Sequence, residues 1–280
     1  MEYREGADTM YALDFEYDGQ YLSDYGFIIC NFGGASDMDV VSAGSKITFN
    51  TVPMHNGKKN NLTSTAYEEC IETTFDICKN PELYDDLRIT NDEYRDIMRW
   101  LNRREFLRFQ MLDNDDGEQE ACYYEASFNI DKILINRTLC GLELTMQTNK
   151  PFGYGSEQSV SLAVSDVTKS YIINDMSDEI GYTYPSMKIT CNQGGDLSII
   201  NETEPCTMVI KNCSSGEIIE VDGDTHIVRS SLKSHKIYDD FNFEFFKIGN
   251  TLNNRSNKIR VSLPCKIEVR YSPIIKDTPS

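Results

Sequence analysis

The stretch TMQTNKPFGYGSEQ (residues 145–158) places Pro151, Gly153 and Gly155 within five residues of one another. Runs that alternate apolar and polar residues approach it from both sides. Such a stretch either grips a ligand or separates two folded units. A phosphate-gripping loop needs G-x-G-x-x-G, or G-x-x-x-x-G-K-[ST], between a strand and a helix. FGYGSEQS (152–159) has neither spacing and runs into a strand-like segment. The stretch therefore reads as a boundary, dividing the 280 residues into 1–150 and 151–280.

Upstream, YALDFEYDGQYL (11–22) alternates around Asp18-Gly19, a pair favoured where a tight hairpin needs positive φ. YGFIICNF (25–32) is a compact apolar run, and SKITFNTV (45–52) alternates again. ECIETTFDICK (69–79) puts Ile71, Thr73, Phe75 and Ile77 on one face of a strand. Before it lies PMHNGKKNNLTSTAY (53–67), a polar excursion of a length uncommon within a domain unless it is functional. The spacing predicts one helix, over about 90–104. Thr90 and Glu93 suit a capping box, and Tyr94, Ile97, Met98 and Leu101 form one apolar stripe. Acids in the first turn, with Arg103 and Arg104 in the last, match the helix dipole. Trp100, beside the stripe, is expected to pack. Strands are expected at 106–113, 122–130 and 140–148, with a turn over 114–120.

Beyond the boundary the pattern is short strands throughout: 159–164, 169–173, 186–191, 196–201, 206–211, 217–221, 225–229, 241–248, 257–263 and 265–271. Gly194-Gly195, Ser215-Gly216 and Asp222-Gly223 punctuate them at sandwich or barrel spacing. The fold class is mainly β, with one helix in the first half.

The formal charge of −18 argues against wrapping nucleic acid or docking on anionic lipid. It is concentrated in residues 1–150, which hold 28 acids and 14 bases, against 17 and 13 in residues 151–280. Nine cysteines, an odd number, with no apolar signal core and no membrane-length apolar run, suggest free thiols in a reducing cytoplasm. The five N-x-S/T sequons then follow from an Asn-rich composition.

Chemical motifs fail on spacing. DNDDGEQE (113–120) would place Gly117 at the fifth and Glu118 at the sixth position of a calcium loop, where an oxygen ligand and Gly are needed. His55, His226 and His235 are scattered, and no cysteines have C-x₂₋₄-C spacing. No G-x-S-x-G is present, and acid pairs such as Asp85-Asp86 and Glu68-Glu69 suit solvated faces. No catalytic, cofactor-binding or metal-binding residue is expected, no cofactor, and no enzyme. A chain without a chemical site works through its surfaces, and the 53–67 excursion suits a β-arm that completes a neighbour's sheet.

Ordered segments carry a resemblance: MYALDFEYDGQYLSDYGFII (10–29), ITNDEYRDIMRWLNR (89–103), YYEASFNI (123–130), LELTMQTNKPFGYG (142–155), GEIIEVDG (216–223) and DDFNFEFFKIGNTLNNRSNKIRV (239–261), with KIEVRYSP (266–273). Together they resemble the distal tail protein family of tailed bacteriophages, particularly those with long non-contractile tails. Residues 1–9, ahead of Met10, form an extension to that pattern. The resemblance implies a homohexameric ring at the virion tail tip, assembled in the bacterial host cytoplasm. Its N-terminal domain would be a tail-tube-like β-sandwich with one α-helix and a β-arm, about 50–67, that clasps the next subunit. Its C-terminal domain would be an outward-facing, galectin-like β-sandwich. The ring would join the tail tube protein to hub and tip proteins and anchor receptor-binding proteins, with DNA only passing through the lumen and no membrane insertion. The acidic half would form the ring, giving a channel that repels phosphates. The rival is a carbohydrate-binding adhesion module gripping glycans through exposed Tyr182 and Tyr184.

Overall fold

The computed structural model describes residues 14–32, 46–53, 60–68, 70–112 and 122–276. The extension at 1–9, the first residues of the opening strand, the middle of the excursion at 54–59 and the turn over 114–120 lie outside the described residues. The chain divides into two compact units, Met1–Gly155 with Ile275–Ser280, and Ser156–Ile274.

The first unit contains β1 (Asp14–Tyr17), β2 (Gln20–Tyr21), β3 (Phe27–Cys30), β4 (Ile47–Pro53), β5 (Asn60–Tyr67), β6 (Glu72–Lys79), α1 (Asn91–Leu101), β7 (Leu107–Leu112), β8 (Tyr124–Ile135), β9 (Thr138–Thr148) and β10 (Gly153–Tyr154). Seven strands form one sheet in the order β2-β1-β7-β8-β9-β6-β3. Asp18 and Gly19 take φ of 52° and 73°, the left-handed pair a two-residue hairpin requires.

Four strand spacings separate β1 from β6, about 19 Å in a flat sheet. Yet the rings of Phe15 and Phe75 lie 5.8 Å apart, so the sheet curls on itself. Phe15 also meets Phe109, Phe128 and Trp100, the last stacked at 5.6 Å. Trp100 stacks on Tyr25 at 4.5 Å, and its Nε1 donates to the Tyr17 carbonyl at 3.0 Å. Its polar atom is thus satisfied inside an apolar cluster, as burial demands.

The helix starts as expected. Thr90 Oγ1 accepts from the Glu93 N–H at 3.3 Å, and Glu93 Oε2 accepts from the Thr90 N–H at 2.7 Å. It ends at Leu101 rather than about 104. Asn102 donates its side-chain amide to the Phe128 carbonyl, and Arg103 swings away to pair with Asp18 at 2.7 Å. Two tertiary contacts outweigh the helical preference of the arginines. Within the excursion, expected as a β-arm, Asn60–Tyr67 is a strand, β5, paired antiparallel with β4 from Ile47↔Tyr67 to Pro53↔Asn60.

The second unit contains β11 (Gln158–Val164), β12 (Ser170–Asn174), β13 (Gly181–Thr183), β14 (Ser186–Cys191), β15 (Gly195–Asn201), β16 (Cys206–Cys213), β17 (Ile218–Asp222), β18 (Ile227–Ser230), α2 (Ile237–Asp240), β19 (Ile248–Asn250), β20 (Ser256–Val261) and β21 (Cys265–Tyr271). Sheets β11-β21-β14-β17-β18 and β12-β20-β15-β16 share one core, including Ile189, Leu197, Ile199, Ile219, Ile259 and Ile267. This is a β-sandwich. The strand expected over 241–248 is absent except at its end. Instead, Asn242 Oδ1 accepts from the Val209 N–H while Asn242 Nδ2 donates to the Thr207 carbonyl, and Glu244 Oε1 accepts from the Thr207 N–H. Side chains here take the place of a neighbouring strand and blunt the β16 edge. The nine cysteines are free thiols, and burial pushes Cys265 up to about 12, leaving it protonated and inert.

Because Trp100 joins helix, β1 and the curled sheet, Trp100→Ala should lower stability by about 3–5 kcal/mol. Urea unfolding followed by circular dichroism measures this; a loss below about 1 kcal/mol would deny the tryptophan that central position.

Candidate assembly surfaces

The β4–β5 hairpin pairs with no third strand among the described residues. Ile47 and Phe49, two positions apart and so on one face, are 51% and 66% exposed. Opposite them sit Tyr67 and Thr65. Near its base, Tyr67 accepts a hydrogen bond from Lys276 Nζ at 2.7 Å. A lone two-stranded hairpin is marginal in water, so an exposed apolar face on both-edges-open strands calls for a partner.

A second feature lies on the polar face of the curled sheet, opposite Phe75, Ile77, Leu142 and Leu144. There the register sets Asp76 directly across from Glu143, and Glu143 across from Asp131. Like charges directly opposite one another destabilise a sheet. Glu143 and Asp131 have no ion-pair partner among the described residues. The second unit handles the same geometry in the opposite way. Across β18, β17, β14 and β21 one row reads Arg229, Glu220, Lys188, Glu268, alternating in sign. The acidic row is therefore a property of one sheet face rather than of the chain's composition alone.

The most chemical-looking cluster is in the second unit. Glu217 is fully buried and accepts from Ser230 Oγ and bonds His235 Nδ1, both at 2.5 Å, while His235 Nε2 lies 3.3 Å from Asp240. A nucleophilic triad needs the imidazole against the hydroxyl. Here the hydroxyl binds the carboxylate instead, so no group is placed to take its proton. The cluster ties the segment after β18 to the start of β17. Burial alone would raise the Glu217 carboxyl, but bonds from Ser230, His235 and the Ser214 N–H outweigh it and hold it below its ordinary value. Burial likewise opposes a charged His235, and the Glu217 bond and charge overcome it, raising the imidazole.

Other residues considered in the sequence are accounted for by packing. Tyr182 and Tyr184 meet edge-on at 5.5 Å; Lys247 Nζ caps the Tyr182 ring at 4.5 Å, and Tyr184 packs on His226 at 4.6 Å. They form no flat platform for a sugar. Asp86 is clamped by Arg88, whose bonds hold its carboxyl at about 2 and leave it ionised. His55 and Glu69 lie outside the described residues. Among the described residues no group of three or more His, Cys, Asp or Glu could hold a metal, and no helix is long and apolar enough to cross a membrane. The acidic row escaped sequence reading because it depends on strand register, and the Glu217 cluster because it forms only when the segment after β18 folds back onto the start of β17.

Residues 10–150 match a family model described as the phage tail protein N-terminal domain, and residues 152–271 one described as the phage tail C-terminal domain. The chain belongs to this phage tail protein family. It is thus a structural component of the virion, and the carbohydrate-binding reading is not favoured. Among solved structures, this phage tail protein is similar to the Dit (gp 19.1) protein of phage SPP1, described as a paradigm of the hub adsorption apparatus in phages infecting Gram-positive bacteria. The match has 13% identity and a TM-score of 0.65, covering 93% of this chain and 98% of that one. At that identity the likeness establishes a shared fold, in line with the mainly β class expected from the sequence. A search of curated proteins found no match.

The buried cluster sets a pH window. Glu217 contributes stability above its ordinary value of 4.5 and loses it as pH falls through the lowered one; His235 contributes fully below 6.5 and loses it as pH rises through the raised one. His235→Gln should lower the thermal midpoint near pH 6 and flatten its decline toward pH 8, read by melting across that range.

Proposed function

We propose that this phage tail protein is the distal tail ring, six copies closed around the tail axis to join the tube to hub and tip proteins. Residues 1–150 form the ring, and residues 151–280 form an outward-facing, galectin-like sandwich whose periphery receives other tail-tip components, receptor-binding proteins among them. The role is geometric, without catalysis. The observation that carries this reading is the β4–β5 hairpin: two strands that pair with no third strand among the described residues and carry an exposed Ile47–Phe49 face, a surface suited to another chain. Seven extended residues reach about 23 Å, enough to cross onto an adjacent subunit. The similarity in fold to SPP1 Dit supports a tail-tip position.

In this ring the acidic face formed by Asp76, Glu143 and Asp131 lines the channel. Repulsion of phosphates acts over a Debye length of about 8 Å at physiological salt. DNA then passes without the counterion release that makes protein–DNA contacts adhesive.

Replacing residues 48–66 by a short Asn-Gly turn should leave folded monomers where the intact chain gives hexamers by light scattering. Hexamers that survive this trimming would end the arm reading. Virions carrying Asp76→Lys with Glu143→Lys should release DNA more slowly, and the delay should shrink with added salt. Release kinetics equal to those of the parent phage would remove the acidic face from the channel.

A further inference from the structure

The β8–β9 hairpin outruns the sheet that holds it. β7 pairs with β8 only at Tyr124, Glu125 and Ala126, and β6 reaches β9 only over 141–147. The carbonyls of Ala126 and Phe128 face the outer side of β8, where they accept from Tyr17 and from Asn102. Two-residue alternation turns the backbone groups of Ile130 and Lys132 the same way. They have no partner there among the described residues. A register shift between Ile133 and Leu134 then redirects the tip, where Leu134 is 57% and Ile135 49% exposed.

The turn itself is Asn136-Arg137, with φ of 50° and 68°. The second place in such a turn favours glycine, which adopts the left-handed region without strain. An arginine held there, beside two exposed aliphatic side chains, opposes both backbone preference and solvation. Lys132 lies 4.1 Å over the Tyr94 ring, and Arg137 has no ion-pair partner among the described residues. Beyond Asp131, which belongs to the acidic row, the tip is therefore basic and apolar on a half that carries twice as many acids as bases. Copies of such a half repel one another unless contact is made where local charge is opposite.

We propose that this tip is a second self-association element, distinct from the β4–β5 arm, that seats on the acidic surface of a neighbouring copy's first unit. Leu134 and Ile135 supply the desolvated centre, Lys132 and Arg137 the charged rim, and the open β8 edge the backbone groups. The inference rests on the ring reading above.

Arg137→Gly separates folding from assembly, because glycine suits the turn. The variant should melt at the parent temperature or higher while its self-association weakens about tenfold, measured by light scattering over a concentration series. Leu134→Ser should weaken association comparably, Arg137→Lys should retain it, and association of the parent chain should weaken with salt. If the ring forms and both Arg137→Gly and Leu134→Ser stay within about twofold of the parent, this inference fails and the ring reading stands. If the parent chain remains monomeric at every concentration, both fail together.

Discussion

The curl of the seven-stranded sheet around Phe15 and Trp100 is the constraint from which the first unit's surfaces follow. Rings from β1, β6, β7 and β8 meet at 5.4–6.4 Å, which no flat sheet of that strand order permits. Once the apolar face has closed on itself and on α1, the other face must be polar. The strands that do not fit inside the curl must project. Both hairpins, β4–β5 and the end of β8–β9, are such projections. Without the aromatic cluster there would be no fixed face to carry the acidic row.

The two units treat exposed β structure in opposite ways, and the contrast bears on assembly. In the second unit the row across β18, β17, β14 and β21 alternates in charge, and the β16 edge is stopped by the side chains of Asn242 and Glu244. Those are devices that keep a sandwich to itself. In the first unit three acids stand side by side and, among the described residues, the β4–β5 hairpin pairs with no third strand and β8 has no neighbour past Phe128. Each of these features is unfavourable on an isolated surface and would be relieved by burial against a partner. The two units thus differ in where their unsatisfied groups lie among the described residues, and the ring reading proposed above builds on that difference.

The Glu217–His235 pair shows how far a site-like cluster can be from chemistry. A buried carboxylate, an imidazole and a hydroxyl lie within hydrogen-bonding distance, yet the hydroxyl donates to the carboxylate and the imidazole is held between two acids. Connectivity, not composition, decides what such a group can do. Here it holds the segment after β18 against the sandwich.

Periodicity and capping in the sequence determined the β class, the Asp18-Gly19 hairpin and the start of α1 at Thr90, since each depends on neighbours a few residues apart. The same alternation showed which side of β6 faces the core. Three things were decided only by tertiary structure. The end of α1 depends on Asn102 finding Phe128. The strand character of Asn60–Tyr67 depends on pairing with β4, because its polar sequence carries no hydrophobic pattern. The acidic row depends on register, which aligns Asp76, Glu143 and Asp131 from segments up to 67 residues apart in the chain. Local sequence sets the direction of each side chain on its own strand. Only the folded sheet sets which side chain stands beside it, because that choice is made by long-range packing around the aromatic core.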